Sequence, residues 1–167
     1  MGNRIMTSKG NTIIDRFSRS AIAVTADVKV INKEQLLSVK EEHNFKFISS
    51  KLLQQTDQHY IGKEGIDKAL IEVNYAIAET GTVVLECSNE QIRLASCLAE
   101  HLYVLVKASN IVECSHDIVD FMAESTKAQG GYVAFISGPS RTADIERVLT
   151  VGAHGPRELT IVIVTDL

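Results

Sequence analysis

Leu159-Thr160-Ile161-Val162-Ile163-Val164 is apolar nearly throughout, which is how a strand covered on both faces reads. Upstream of it the apolar period switches repeatedly between helix-like and strand-like, with a glycine or a capping residue at most switches. Helices alternating with buried strands give an α/β chain of three layers, a mostly parallel sheet with helices on both faces.

Ile14, Phe17 and Ala21 form a first helical stripe, Val28 to Ile31 a short strand, and Asn32 with Gln35 a capping-box pattern that opens a short helix. Phe45 and Phe47 mark another brief strand. The polar stretch Gln54 to His59 reads as a surface loop. It separates a short N-terminal part, 1–59, from a core, 60–167, on which that part packs within one structural domain. Ile66, Ala69, Leu70 and Val73 fall at i, i+3, i+4 and i+7 and predict a helix. Strands Tyr75–Ala78 and Thr82–Leu85 flank the turn Glu79-Thr80-Gly81. Ser88 with Gln91 heads a helix bearing Ile92, Ala95 and Leu98, and His101 to Val106 follows as a strand. Ser115 caps a helix with Ile118, Phe121 and Met122, which Gly130-Gly131 can end. A buried strand, Tyr132–Ile136, then runs through Ser137-Gly138-Pro139 into an amphipathic helix carrying Ile145, Val148 and Leu149.

Composition narrows the class. The 167 residues are 45% hydrophobic and 23% charged, suited to one soluble globular domain, and no apolar run approaches the ~18 residues of a membrane span. A net charge of −4 provides no field to attract nucleic acid or anionic lipid, so neither is expected as a partner. Met1 to Thr7 lacks an apolar h-region, and the cytoplasm is the default location. Cys87, Cys97 and Cys114 make an odd count with no Cys-x-x-Cys pair, so neither a disulfide framework nor a metal or iron–sulfur site is indicated.

The chemistry is expected in two turns. In open α/β sheets ligands collect beyond the carboxyl ends of strands. If their strands run parallel, Glu79-Thr80-Gly81 and Gly138-Pro139-Ser140-Arg141-Thr142 lie on one sheet edge. A helix beginning near Thr142 would aim its N-terminal amides at an anion, with Arg141 as a bidentate clamp. Asp144 and Glu146 already place negative charge in that first turn, which favours a small carboxylate over a nucleotide. The competing reading is that Ser140, Thr142 and Asp144 serve only to cap the helix. Glu79 is the candidate catalytic group, a general base if burial tunes it or else a salt-bridge partner. His154, held between two glycines beside Pro156, is a candidate acid, base or carbonyl ligand if its loop folds back to the same edge.

Three strings, Tyr75 to Leu85, Gly138 to Glu146 and Gly152 to Leu159, together resemble the lactate-utilisation (LUD) domain family, most closely over 60–167. The resemblance implies a fold similar to the group of glucosamine-6-phosphate deaminase, ribose-5-phosphate isomerase and the CoA transferases. It further implies an auxiliary, cluster-free subunit of a cytoplasmic system oxidising L-lactate to pyruvate, with no cofactor in this chain and iron–sulfur clusters on partner subunits. Where Glu86-Cys87-Ser88-Asn89-Glu90-Gln91 stands, a more glycine-rich turn is the family expectation. Two other readings compete: a stand-alone enzyme acting on a small carboxylate or CoA thioester, and a non-enzymatic interaction module.

Overall fold

The computed structural model describes residues 12–57, 60–127, 131–145, 148–151 and 155–167; over 142–151 it is the backbone that is described. Four helices and twelve strands follow one another as α1 (Ile13–Ala23), β1 (Asp27–Ile31), α2 (Gln35–Glu42), β2 (Phe47–Ser50), β3 (Gln55–Thr56), β4 (Ile66–Glu72), β5 (Tyr75–Ile77), β6 (Thr82–Glu86), α3 (Glu90–Leu98), β7 (Ala99–Lys107), β8 (Ile111–Val112), α4 (Val119–Lys127), β9 (Val133–Ile136), β10 (Arg141–Ile145), β11 (Val148–Val151) and β12 (Glu158–Val164).

The main sheet has the order β1-β12-β7-β4-β2-β3, and every pairing is parallel except β2 with β3. Its central strands are apolar on both faces because both are covered. Leu102, Val104 and Val106 of β7, with Leu159, Ile161 and Ile163 of β12, enter the larger core together with Phe17 of α1 and Ala95 of α3. Leu105, Val162 and Val164 point the other way, against Leu36 of α2. The α/β expectation with helices on both faces therefore holds.

A second sheet, β8-β5-β6-β9, supplies part of the cover. Ala76, Val83 and Leu85 face the larger core, while Ile77 and Val84 face Ile118 and partly buried Phe121 and Met122 of α4. This sheet exists because Gly81, at φ +67°, lets the chain turn back so that β6 pairs antiparallel with β5 instead of crossing over. The one expected sheet is thus divided, with β10 and β11 pairing separately as well.

Two expected helices are strands. Ile66 to Glu72 is β4, seated between β2 and β7; a central strand buried on both faces shows no alternation, and its apolar positions happened to match a helical spacing. The helix expected after Thr142 is the hairpin β10–β11, with Arg141 opposite Val151 and Thr142 opposite Thr150. Thr142, Ile145, Val148, Thr150 and Val151 are β-branched and favour the pleated form. Asp144 accordingly lies in a strand and not in a helical first turn. The strand expected at Tyr132–Ile136 is present as β9, but Tyr132 and Phe135 are about half exposed at a sheet edge.

The capping-box pair expected at Asn32 and Gln35 is present, whereas the caps expected further along the chain differ. The backbone N–H of Asn32 donates to Gln35 Oε1 at 3.0 Å, and that of Gln35 to Asn32 Oδ1 at 2.9 Å. In α3 the cap is Asn89, whose Oδ1 accepts from Gln91 N at 2.8 Å. Ser88 instead donates from its N–H and hydroxyl to Glu86. Gln91 Oε1 accepts from Ile61 N, which removes it from any capping box. Ser115 opens a 3-10 turn ahead of α4, where Asp117 accepts from the amides of Glu113 and Cys114.

Candidate functional site

The carboxyl ends of three parallel strands frame the larger cleft. Ser50 ends β2, Glu72 ends β4 and Lys107 ends β7, and all three line a crevice of ≈ 440 Å³. Its polar wall is held from behind. Glu72 Oε2 accepts from Ser50 Oγ and from the backbone N–H of Leu52, each at 2.9 Å, fixing the turn that carries Lys51. Asn110 Nδ2 donates to the Asn74 carbonyl at 2.9 Å, and Asn74 Oδ1 accepts from Glu86 N at 2.8 Å. Leu85, Ile92, Tyr75 and Phe121 form the apolar wall, the two rings meeting edge-on with centroids 5.0 Å apart.

A smaller cleft of ≈ 230 Å³ lies beside the 79–81 turn. Arg16, Arg19 and Ser20 of α1 face Ala78, Glu79 and Glu113 across it. Arg16 pairs with the Glu113 carboxylate, and the Glu79 N–H donates to the Glu113 carbonyl at 3.0 Å, so the turn is anchored to the chain just beyond β8. Glu79 and Thr80 are exposed, whereas Gly81 is buried.

The two turns singled out in the sequence do share an edge. β5 and β9 are both antiparallel to β6, hence parallel to one another, and their ends meet there. A chain of hydroxyls joins them: Thr80 Oγ1 lies 2.6 Å from Thr82 Oγ1, which lies 2.7 Å from Ser137 Oγ. The last turn of α1 closes over this edge, since a methyl on Gly81 would overlap the backbone of Ser20 and Ala21, and one on Gly138 the Val24 carbonyl. Arg141 Nη2 donates to Thr25 Oγ1 at 2.7 Å, which ties the hairpin to the end of that helix. Thr25 itself sits at φ 67°, a strained conformation for a β-branched residue. The Ser140 N–H donates to the Pro156 carbonyl at 2.8 Å, and Pro139 is half-buried beside Gly138. Thr142 and Asp144 are placed by backbone alone, in β10; His154 and Glu146 lie outside the described residues.

A model of the LUD domain matches residues 6–164. The chain belongs to the LUD domain family. Among its relatives, "Lactate utilization protein C" of Geobacillus kaustophilus is 35% identical over 116 residues, covering 64% of this chain and 48% of that one. The uncharacterized protein YkgG of Escherichia coli K12 is 33% identical over 116 residues, covering 63% and 49%. This LUD chain thus spans about half the length of the curated relatives it matches. A crystal structure of a DUF162 family protein from Deinococcus radiodurans superposes with a TM-score of 0.63 at 18% identity, over 91% of this chain and 96% of that one, and shares the fold.

One titratable cluster of this LUD domain was not foreseen. On the face of the main sheet under α2, His101 stacks on Tyr103 with centroids 4.2 Å apart, and Tyr103 lies 4.8 Å from His43. His101 Nε2 is 2.8 Å from Thr160 Oγ1 and its Nδ1 2.9 Å from Glu158. Burial, reinforced by Lys29 and Lys68, holds His43 below the ordinary imidazole range; burial, then Lys68, does the same for His101 against the opposing pull of Glu158. Folded-state values that are lowered mean the unfolded chain takes up protons first. Their stabilisation is therefore full above about pH 6.5 and is lost as pH falls from there through the folded-state values. The melting temperature is expected to drop between about pH 7.5 and about pH 5.5, and to drop less in a His43→Gln/His101→Gln variant. Equal slopes in both proteins would show that the two rings take no part.

Thiol reactivity should divide along the same lines of burial. Cys87 is 2% exposed, and burial, with Glu86 nearby, pushes its thiol up to about 11, whereas Cys97 is exposed. Titration of the native protein with an aromatic disulfide is expected to modify Cys97 first and Cys87 only after denaturant is added.

Proposed function

We propose that this chain serves lactate utilisation as an auxiliary component of a cytoplasmic L-lactate-oxidising system whose iron–sulfur clusters sit on partner subunits. The observation that carries this reading is the LUD domain match over nearly the whole chain, together with relatives named for lactate utilisation. Among the described residues no three His, Cys, Asp or Glu side chains are grouped to hold a metal, and no described helix is long and apolar enough to cross a membrane.

The small cleft suits a short hydroxy acid. Arg16, although paired with Glu113, keeps further guanidinium N–H donors beside the cleft that a ligand carboxylate can take, and the exposed Glu79 can accept from an α-hydroxyl. Tagged protein recovered from lactate-grown cells is expected to bring iron–sulfur subunits with it, and its deletion to slow growth on L-lactate. Recovery without such subunits, combined with normal growth, would remove the reading.

A second reading is favoured by Glu79 lining a cleft shared with two arginines: a stand-alone enzyme in which that carboxylate abstracts a proton from a small acid, or attacks a CoA thioester carbonyl to form an acyl anhydride as the CoA thiolate leaves. Turnover of any such substrate that disappears in Glu79→Gln would establish it. Unchanged turnover would exclude Glu79 from the chemistry.

A further inference from the structure

We propose that the ≈ 440 Å³ crevice at the carboxyl ends of β2, β4 and β7 is a second binding site, for an organic anion with an apolar body larger than lactate, held by Lys51 and Lys107. Position is the first reason. A parallel sheet gathers its ligands beyond the carboxyl ends of its strands, and this crevice is where three adjacent strands of the main sheet end.

Charge is the second. Two lysines and two glutamates line the space, which on formal count is neutral. The glutamates, however, are already engaged: Glu72 accepts from Ser50 Oγ and Leu52 N, and Glu86 accepts from the N–H and the hydroxyl of Ser88. Neither lysine forms an ion pair among the described residues. The two carboxylates keep their charge but are engaged by neutral donors, so the two lysines, without an ion pair among the described residues, are left to meet an incoming anion.

Size and lining decide the class. The volume falls within the roughly 300–1,000 Å³ of pockets that enclose drug-sized molecules, and a three-carbon acid would leave most of it to water. The lining also includes Tyr75, Leu85, Ile92 and Phe121, apolar surface that a ring or acyl chain would cover and a bare hydroxy acid would leave to water. Glu72 acts here as a positioning residue, because it orders the 50–52 turn from which Lys51 extends.

The site is independent of the lactate reading and has its own test. Isothermal titration of the full chain uses AMP and hexanoate as anions carrying a ring or an acyl chain, adenosine and 1-hexanol as their uncharged counterparts, and L-lactate as the small anion. AMP or hexanoate is expected to bind, the uncharged partners not to, and Lys51→Ala and Lys107→Met each to weaken binding by about tenfold or more, with melting temperature unchanged. Which anion binds distinguishes a ring-bearing phosphate from an acyl carboxylate. L-lactate binding that survives both lysine changes leaves the small cleft as its site and does not bear on the crevice result, which the AMP and hexanoate arms decide. Absence of binding by both larger anions, or affinities indifferent to both lysine substitutions, overturns the proposal whatever lactate does.

Discussion

Replacing Gly81 by alanine is expected to destabilise the protein by about 2–5 kcal/mol. Two effects combine. The residue sits at φ +67°, where an L side chain costs about 1–2 kcal/mol. The new methyl would also overlap the backbone of Ser20 and Ala21 in the last turn of α1, and a helix backbone cannot rotate aside as a flexible side chain does. Overpacking of that kind typically adds about 1–3 kcal/mol. For a domain of this length the sum corresponds to a fall of about 4–20 °C in melting temperature. Urea unfolding followed by circular dichroism measures it, with Glu79→Ala, an exposed neighbour, as the control. A loss below about 1 kcal/mol would mean that α1 does not rest on this turn.

The same glycine shows how far the sequence could be read. Its place between two apolar runs marked a turn, and the shared edge with Gly138 was anticipated, because strand ends and turns leave local signals. What closes the edge was not visible. The contact with Ser20 and Ala21 joins positions some sixty residues apart in the chain, and the Thr82–Ser137 hydroxyl pair joins positions 55 apart. No local pattern records such pairings. β7 and β12 are legible because each contains a compact apolar run, β1 because Val28, Val30 and Ile31 are β-branched, and α1 because Phe17 and Ala21 repeat at helical spacing.

β4 fails for the opposite reason. Ile66, Ala69, Leu70 and Val73 satisfy a helical template, and a strand buried on both faces has no alternation with which to contradict it. That misreading hid the larger crevice as well, since its floor depends on Glu72 ending a strand beside Ser50 and Lys107. The rule that ligands gather at carboxyl ends was applied to the strands that could be recognised, in the smaller sheet. β10 and β11 repeat the difficulty: their β-branched residues are the one local sign that the amphipathic spacing belongs to a hairpin.

Phe17→Ala is expected to cost about 3–5 kcal/mol, because the ring is fully buried and its removal leaves a cavity that the surrounding sheets cannot fill. Phe17 belongs to the core that contains Val83 and Leu85 of the second sheet together with Leu102, Val104 and Ile161 of the main sheet, so α1 links the two sheets. Ser20 and Ala21, against which Gly81 packs, belong to the next turn of the same helix. The two substitutions therefore act on one seat. Once Phe17 is truncated, α1 can shift away from the 79–81 turn, and the methyl of Gly81→Ala meets less resistance. The double variant is expected to lose less than the sum of the single losses, by about 0.5–3 kcal/mol of coupling. Strict additivity would place the two contacts in separate units, and would leave the cleft formed by Arg16, Arg19 and Glu79 without the rigid helix on which its geometry depends.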